Sequence, residues 1–128
     1  MLKTTKWFSI LLPVLFAGCA SVTLTNLTPT QEPRNATGQY LVEMKMDSTQ
    51  QTLRPESISP KVMVGFETYP MRPQVKMTNR WEALVPIPAG ADTINYHFKV
   101  DYEYNAFGKP GHDSMRSSQY KLSLLESK

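Results

Sequence analysis

The chain has 128 residues, room for one domain, and its 41% hydrophobic and 20% charged residues are the proportions of an ordinary globular protein. Its formal net charge of +3 includes Lys3 and Lys6, which belong to an N-terminal signal; without them 12 of the 14 basic residues remain against 11 acidic ones. This near balance gives nucleic-acid binding no electrostatic support, so no nucleic-acid partner is expected.

The first residues have the layout of a secretory signal. Lys3 and Lys6 precede an apolar run from Trp7 to Phe16, and the small residues Ala17 and Gly18 follow. Ten residues at helical rise span only about 15 Å, roughly half of a bilayer's hydrocarbon core. A permanent transmembrane helix is therefore not expected here.

The end of this segment carries a more specific pattern. Phe16-Ala17-Gly18-Cys19 resembles the lipobox of bacterial lipoproteins, whose cysteine is diacylated and becomes the first residue after cleavage. The resemblance implies a signal peptide over 1–18, a mature domain over 19–128, and attachment to the membrane through lipid on Cys19. If the source is Gram-negative, Ala20 rather than Asp after the cysteine implies sorting to the outer membrane. The alternative is an ordinary signal cut nearby, which would leave the sole cysteine as a free thiol.

The mature chain is predicted to be all-β, because apolar residues recur with a period of two between turn signals and no helical pattern appears. The predicted strands are 21–27, 39–46, 61–66, 75–78, 81–85, 93–104 and 118–124. Prolines exclude a central strand at 69–73, which is predicted to be irregular, and 28–38 and 105–113 are predicted to be loops. About seven strands at this spacing predict a single antiparallel β-sandwich of immunoglobulin-like type.

The clearest element is the strand from Thr93 to Tyr104. Its alternate positions are apolar or aromatic, and the positions between them are polar, as in a half-buried strand. The apolar row is Ile94, Tyr96, Phe98, Val100, Tyr102 and Tyr104. This pattern predicts that Phe98 is a core residue.

The beginning of this strand is similar to a known family. The segment from Asp92 to Phe98, DTINYHF, resembles the start of strand F in immunoglobulin domains, with Phe98 in place of the cysteine. In that family the tyrosine hydroxyl bonds to backbone at the corner before the strand. The resemblance therefore implies a structural role for Tyr96.

A second resemblance covers residues 81–100. The succession of a tryptophan strand, a Pro-Gly turn and a Tyr-x-Phe-Lys strand is similar to the late part of early-set glycogen-binding modules. It implies the same β-sandwich fold and, as the alternative function, a carbohydrate-binding module of the cell envelope.

Aromatic residues are the first candidates for binding, because rings stack on sugars and anchor protein interfaces. The candidates are Tyr69, Trp81 and Phe107. The spacing of Trp81 also fits a core position, whereas Tyr69 and Phe107 are predicted to lie in loops.

Metal binding is a weaker possibility. Met44 and Met46 share a strand face, and soft thioethers joined by His97 or His112 would suit Cu(I). Methionine is also an ordinary core filler, and neither histidine has a partner at zinc-site spacing. No metal site and no cofactor are predicted.

Catalytic motifs are absent from the sequence, which has no nucleophile elbow, zinc-protease motif or phosphate-binding loop. Asp101 and Glu103 share a strand face, but charged residues with Lys99 beside them are typical of a solvated surface. The sequence thus predicts a non-catalytic structural or protein-interaction module, anchored in the cell envelope, with another envelope protein or a polysaccharide as its partner.

Overall fold

The computed structural model describes residues 22–126, which form ten β-strands and one 3₁₀-helical turn, Pro55–Ser57. The strands are β1 (Val22–Asn26), β2 (Gln31–Pro33), β3 (Gln39–Ser48), β4 (Ser59–Val64), β5 (Glu67–Pro70), β6 (Arg72–Pro73), β7 (Arg80–Pro86), β8 (Thr93–Tyr104), β9 (Gly111–Arg116) and β10 (Tyr120–Leu125).

The first sheet has four strands in the order β1-β3-β7-β6, all antiparallel. Met44 of β3 pairs with Trp81, and Met46 pairs with Leu24. Because paired residues share a face of a sheet, these side chains all lie on the inner face. The outer face carries the alternate positions, among them Glu43 opposite Glu82.

The second sheet has six strands, in the order β2-β10-β8-β4-β5, with β9 also paired to β8. The prediction of a purely antiparallel sandwich is wrong at one edge, where β2 pairs with β10 in parallel. The chain leaves β1, crosses to this sheet through residues 27–30, and continues in the same direction. β10 runs in the same direction as β1, because it pairs with β8 in antiparallel. β2 and β10 are therefore parallel.

This topology is that of an immunoglobulin-like sandwich. The first sheet reproduces the A-B-E-D order of that fold, and β10, β8 and β4 reproduce the neighbours G, F and C. β5 adds a strand beside β4, as in variable-type domains. The predicted all-β, two-sheet, immunoglobulin-like fold is confirmed.

The core lies between the two inner faces. In β8 Tyr96 is 1%, Phe98 and Val100 0% and Tyr102 6% exposed, so the middle of the predicted row is confirmed. Ile94 and Tyr104, at the ends of the row, are only half-buried. From the first sheet come Tyr40, Val42, Met44, Met46, Ala83 and Val85. The rings of Tyr96 and Phe98 meet edge to face at 5.7 Å, which adds directional packing to simple burial.

Two predictions about the chain around the prolines are wrong. Residues 69–73 are not irregular, because Tyr69 and Pro70 end β5 and Arg72 and Pro73 form β6. Both are edge strands. A proline is tolerated in an edge strand because the N–H that it lacks can lie on the open side, where no neighbouring strand would accept a hydrogen bond. The predicted strand at 75–78 is instead a turn, closed by a bond from Met77 N to Gln74 O.

The strand that returns after β8 is divided in two. β9 pairs with the second half of β8 and β10 with the first half, and the loop between β8 and β9 is only 105–110. Ser117 marks the break: its Oγ accepts a hydrogen bond from Phe98 N at 2.8 Å, and its own N–H donates to Phe98 O at 2.9 Å. A hydroxyl thus replaces a missing backbone partner.

The predicted partner of Tyr96 is wrong. Its hydroxyl accepts a hydrogen bond from Nδ2 of Asn26 in β1 at 2.9 Å, rather than bonding to the backbone before β8. The tyrosine is structural, as predicted, but it joins the two sheets instead of closing a corner.

Candidate binding surfaces

The sandwich has two ends with different loops. The β1 end consists of the start of β1 and the loops 49–58, 74–79 and 105–110; Val22 pairs with Ser48 there, and Asn105 N donates to Thr52 O at 2.9 Å. The far end consists of the loops 34–38, 65–66 and 87–92, together with the end of β10.

Of the three predicted binding residues, only Phe107 has a free ring. It lies in the loop 105–110 at the β1 end and is 105% exposed. Tyr69 is not in a loop as predicted. It lies in β5, where it pairs with Val62 of β4 and packs half-buried against the edge of the core. The structure therefore does not bring the three candidates together.

Trp81 is half-buried on the inner face of β7. It pairs with Met44 on one side and Pro73 on the other and packs against the core. A ring in this position is not presented to solvent as a flat platform for a sugar, so the alternative carbohydrate-binding function loses the residue on which it mainly depended.

The thioethers of the copper alternative are in the core. Met44 is 0% and Met46 4% exposed, and both face the opposite sheet. His97 and His112 lie on the outer face of the second sheet, opposite Met63 and Glu103. In residues 22–126 no group of three or more metal-ligating His, Cys, Asp or Glu side chains is found.

An open acidic groove of about 550 Å³ runs along the outer face of β8 and β9. Its lining includes Asp101, Glu103, His112 and Asp113. Tyr102 also contributes to the lining, although its side chain belongs to the core; burial, followed by the charge of Asp113, raises the pKa of its phenol.

Two of the three carboxylates that line this groove are engaged by cations. Asp101 lies 3.4 Å from Lys61 Nζ and 3.6 Å from Lys99 Nζ, and Glu103 lies 3.3 Å from Arg54. The predicted neighbour Lys99 is confirmed. Neutralised carboxylates on a solvated face have the arrangement of surface ion pairs rather than of an acid–base pair.

Among the exposed apolar residues that are not predicted binding candidates, three lie in loops: Phe66 at 103%, Val75 at 83% and Met77 at 44% exposure. The predicted strand 61–66 includes Phe66 as its last residue. In the structure β4 ends at Val64, and Gly65-Phe66 form a two-residue hairpin loop in which Gly65 has φ 60. Glycine at the first central position is the signal of a type II′ turn, and it would have placed Phe66 at the tip.

The predicted lipidation site, Cys19, lies outside the described residues, which begin three positions later at Val22. Within the described part of the chain there is no helix of the length and apolarity needed to span a membrane. Two asparagines begin an Asn-x-Thr glycosylation pattern, and the side chains of both are engaged. Nδ2 of Asn26 donates to the Tyr96 hydroxyl, and Nδ2 of Asn35 donates to Gln39 O at 3.0 Å.

Comparison with known proteins adds little to this description. No protein-family model matches the sequence, and no curated protein matches it. Among solved structures, one titled "Structure or murine CRIg" aligns with 84% of this chain and 99% of its own, at 12% identity and a TM-score of 0.45. The strand topology, rather than this similarity, defines the fold as immunoglobulin-like.

Proposed function

We propose that the protein is a lipoprotein of the bacterial cell envelope, held at the outer membrane by acyl chains on Cys19, whose domain binds another envelope protein without catalysing a reaction. The observation that carries the proposal is the position of the sole cysteine. It directly follows Phe16-Ala17-Gly18 and stands three residues before the first strand of the sandwich. An acylated cysteine so close to the fold would hold the domain at the membrane surface.

The non-catalytic part of the proposal is supported by the outer face of the second sheet. Its open acidic groove contains Asp101 and Glu103, yet both carboxylates are paired with cations. Carboxylates held in ion pairs on a solvated face have the arrangement of a charged surface, which supports a non-catalytic role for this face.

The binding part of the proposal is supported by two phenylalanine rings at the tips of hairpin loops. Phe66 at the far end and Phe107 at the β1 end are fully exposed. Exposed aromatic rings on a rigid sandwich are suited to anchor a protein interface. Tyr69 and Trp81 would contribute to such an interface only through the parts of their rings that the core leaves exposed.

Anchoring is tested by fractionating cells that produce the full chain or its Cys19→Ala variant. The wild type should be recovered in the outer-membrane fraction with an intact mass that includes acyl groups, and the variant should not. Wild-type protein that is soluble and carries a free thiol would refute the lipid anchor.

Partner binding is tested by immobilising the acylated protein in detergent and passing over it solubilised envelope proteins or, in parallel, insoluble polysaccharides. Retention of one envelope protein, lost in Phe66→Ala or Phe107→Ala but kept in the surface control Leu41→Ala, supports the proposal. Retention of a polysaccharide, competed by its soluble oligomer, would replace it with the carbohydrate-binding alternative.

A further inference from the structure

The β1 end of the sandwich differs from the far end in what its loop tips expose. Val75 and Met77 project from the loop 74–79, and Phe107 projects from the loop 105–110. These loops stand at the same level, because Met46 N donates to Asn79 O and Tyr104 forms a bridge with Leu53 in the loop that follows β3.

Basic residues accompany these apolar tips. Lys76 lies between Val75 and Met77, and Lys109 lies two positions after Phe107. Among the described residues neither lysine has an ion-pair partner. Apolar side chains flanked by unpaired lysines are the combination that favours the surface of an anionic bilayer.

The far end also exposes apolar side chains, Phe66 and Leu125, but its loop charges have the opposite sign. Its loop cation, Arg34, is bonded to both Asp92 at 2.9 Å and Glu126 at 3.3 Å. This group carries one more negative than positive charge, so it has no comparable attraction for anionic headgroups.

The short chain between Cys19 and β1 determines which end of the sandwich lies close to the membrane. Only Ala20 and Ser21 separate Cys19 from Val22, and three residue steps span at most about 11 Å when fully extended. Val22 begins β1 at the end that carries the apolar loops. The lateral distance from β1 to those loops is only about 10 to 15 Å, since neighbouring strands lie about 4.8 Å apart and packed sheets about 10 Å.

From these observations we infer that Val75, Met77 and Phe107 rest in the interfacial layer of the bilayer that holds Cys19, while Lys76 and Lys109 contact its anionic headgroups. This inference rests on the proposed acylation of Cys19. It assigns Phe107 to lipid and leaves Phe66, at the far end, as the ring directed away from the membrane toward a protein partner. The acyl chains supply the attachment, and the loops set the orientation of the domain.

The experiment uses the full chain, processed in bacteria, purified as the acylated protein and reconstituted in vesicles of phosphatidylethanolamine and phosphatidylglycerol. An acylated Cys19 does not react with maleimide, so one introduced cysteine takes the fluorescent label. Thr78→Cys and Ala106→Cys report on the β1 end; Ala36→Cys and Ala89→Cys are matched controls at the far end, and all four positions are exposed. The quencher is a lipid with a nitroxide at the headgroup.

Quenching should be about twofold or more stronger at positions 78 and 106 than at 36 and 89, since the interfacial layer is only about 5 to 10 Å deep. With Val75, Met77 and Phe107 all changed to serine, quenching at 106 should fall to the level of the far end. The matched control is the double variant Phe66→Ser with Leu125→Ser, which should leave the quenching at position 106 unchanged. Because the replaced side chains are exposed, circular dichroism should show both variants folded.

The outcomes separate this inference from the proposed anchor. Equal quenching at all four positions on protein of acylated mass overturns the loop contact and leaves the anchor standing, as does stronger quenching at the far end. A purified protein that lacks acyl mass and labels at Cys19 refutes the anchor and the inference together.

Discussion

The hydroxyl of Tyr96 and the side-chain amide of Asn26 form a 2.9 Å hydrogen bond between the two sheets of the sandwich. Tyr96 is 1% exposed and stands in β8, the central strand of the second sheet. Asn26 ends β1 of the first sheet, and its Oδ1 accepts a bond from Thr28 N at 3.2 Å. The amide therefore fixes both the turn out of β1 and the contact with the opposite sheet.

Replacing Tyr96 by phenylalanine should lower the free energy of unfolding by about 1 to 2 kcal/mol, because the Asn26 amide loses its partner in a partly buried place. Urea unfolding measures the change, and Tyr104→Phe is the control, since that hydroxyl makes no hydrogen bond with the described residues. Asn26→Ala and Tyr96→Phe should be non-additive in a double-mutant cycle. Additive losses would show that the bond does not contribute to stability.

Alkaline stability should depend on the same tyrosine. Burial raises the pKa of Tyr96 above its ordinary 10.0, outweighing the hydrogen bond from Asn26. A raised pKa means that the folded state holds the proton, so this stability is complete below pH 10 or so and is lost as the pH rises through the folded pKa. The urea midpoint of Tyr96→Phe should consequently fall less steeply above that pH than the midpoint of the wild type. Parallel curves would contradict this.

Two phenylalanines offer a matched test of the faces of the sandwich. Phe98 is 0% exposed in the core, whereas Phe107 is 105% exposed in a loop. Phe98→Ala should lower the free energy of unfolding by about 3 to 5 kcal/mol, and Phe107→Ala by less than about 0.5 kcal/mol. Both are measured by urea unfolding of the same full chain. A loss below about 1 kcal/mol for Phe98→Ala would mean that the assignment of the core is wrong.

The strands that sequence predicts well are those with several alternating residues against the core. The bounds of β8 were predicted without error, and the shared inner face of Trp81, Ala83 and Val85 is confirmed. In such strands each apolar residue is buried by the opposite sheet, so the local pattern and the tertiary structure agree.

Two of the missed elements, β2 and β6, are short edge strands whose existence depends on a neighbour. β2 exists because β10 is available beside it, and β6 because Arg72 pairs with Glu82 of β7. Two or three residues carry no period of their own. The apolar tips Val75 and Met77 were misread as a strand because alternation in a loop looks the same as alternation in a sheet until burial is known.

Ser117 should be important for stability although it lies outside every strand. Ser117→Ala removes the acceptor of Phe98 N, in the most buried stretch of β8, and should lower the free energy of unfolding by about 1 to 3 kcal/mol. Ser118→Ala is the control, because its side chain is exposed. Faster amide hydrogen exchange at Phe98 in the Ser117 variant would locate the effect. Unchanged exchange there would show that another group replaces the hydroxyl.

His97 should make the protein less stable in mild acid. Burial lowers the pKa of its imidazole below the ordinary 6.5, and the charge of Arg116 lowers it further. Its Nε2 is buried and has no hydrogen-bond partner within residues 22–126. A lowered pKa means that the unfolded chain takes up the proton first. The contribution of this group is therefore complete above pH 6.5 or so and is lost as the pH falls through the folded pKa.

The measurement is the urea midpoint between about pH 7 and pH 5, a window in which model carboxylates remain largely ionised. The midpoint of the wild type should fall with the pH, and that of His97→Gln should fall less. Arg116→Gln should raise the pKa of His97 in an NMR titration, while Lys121→Gln, on the neighbouring strand β10, should not. If His97→Gln and the wild type lose the same stability across this pH window, protonation of His97 is not the cause of the loss.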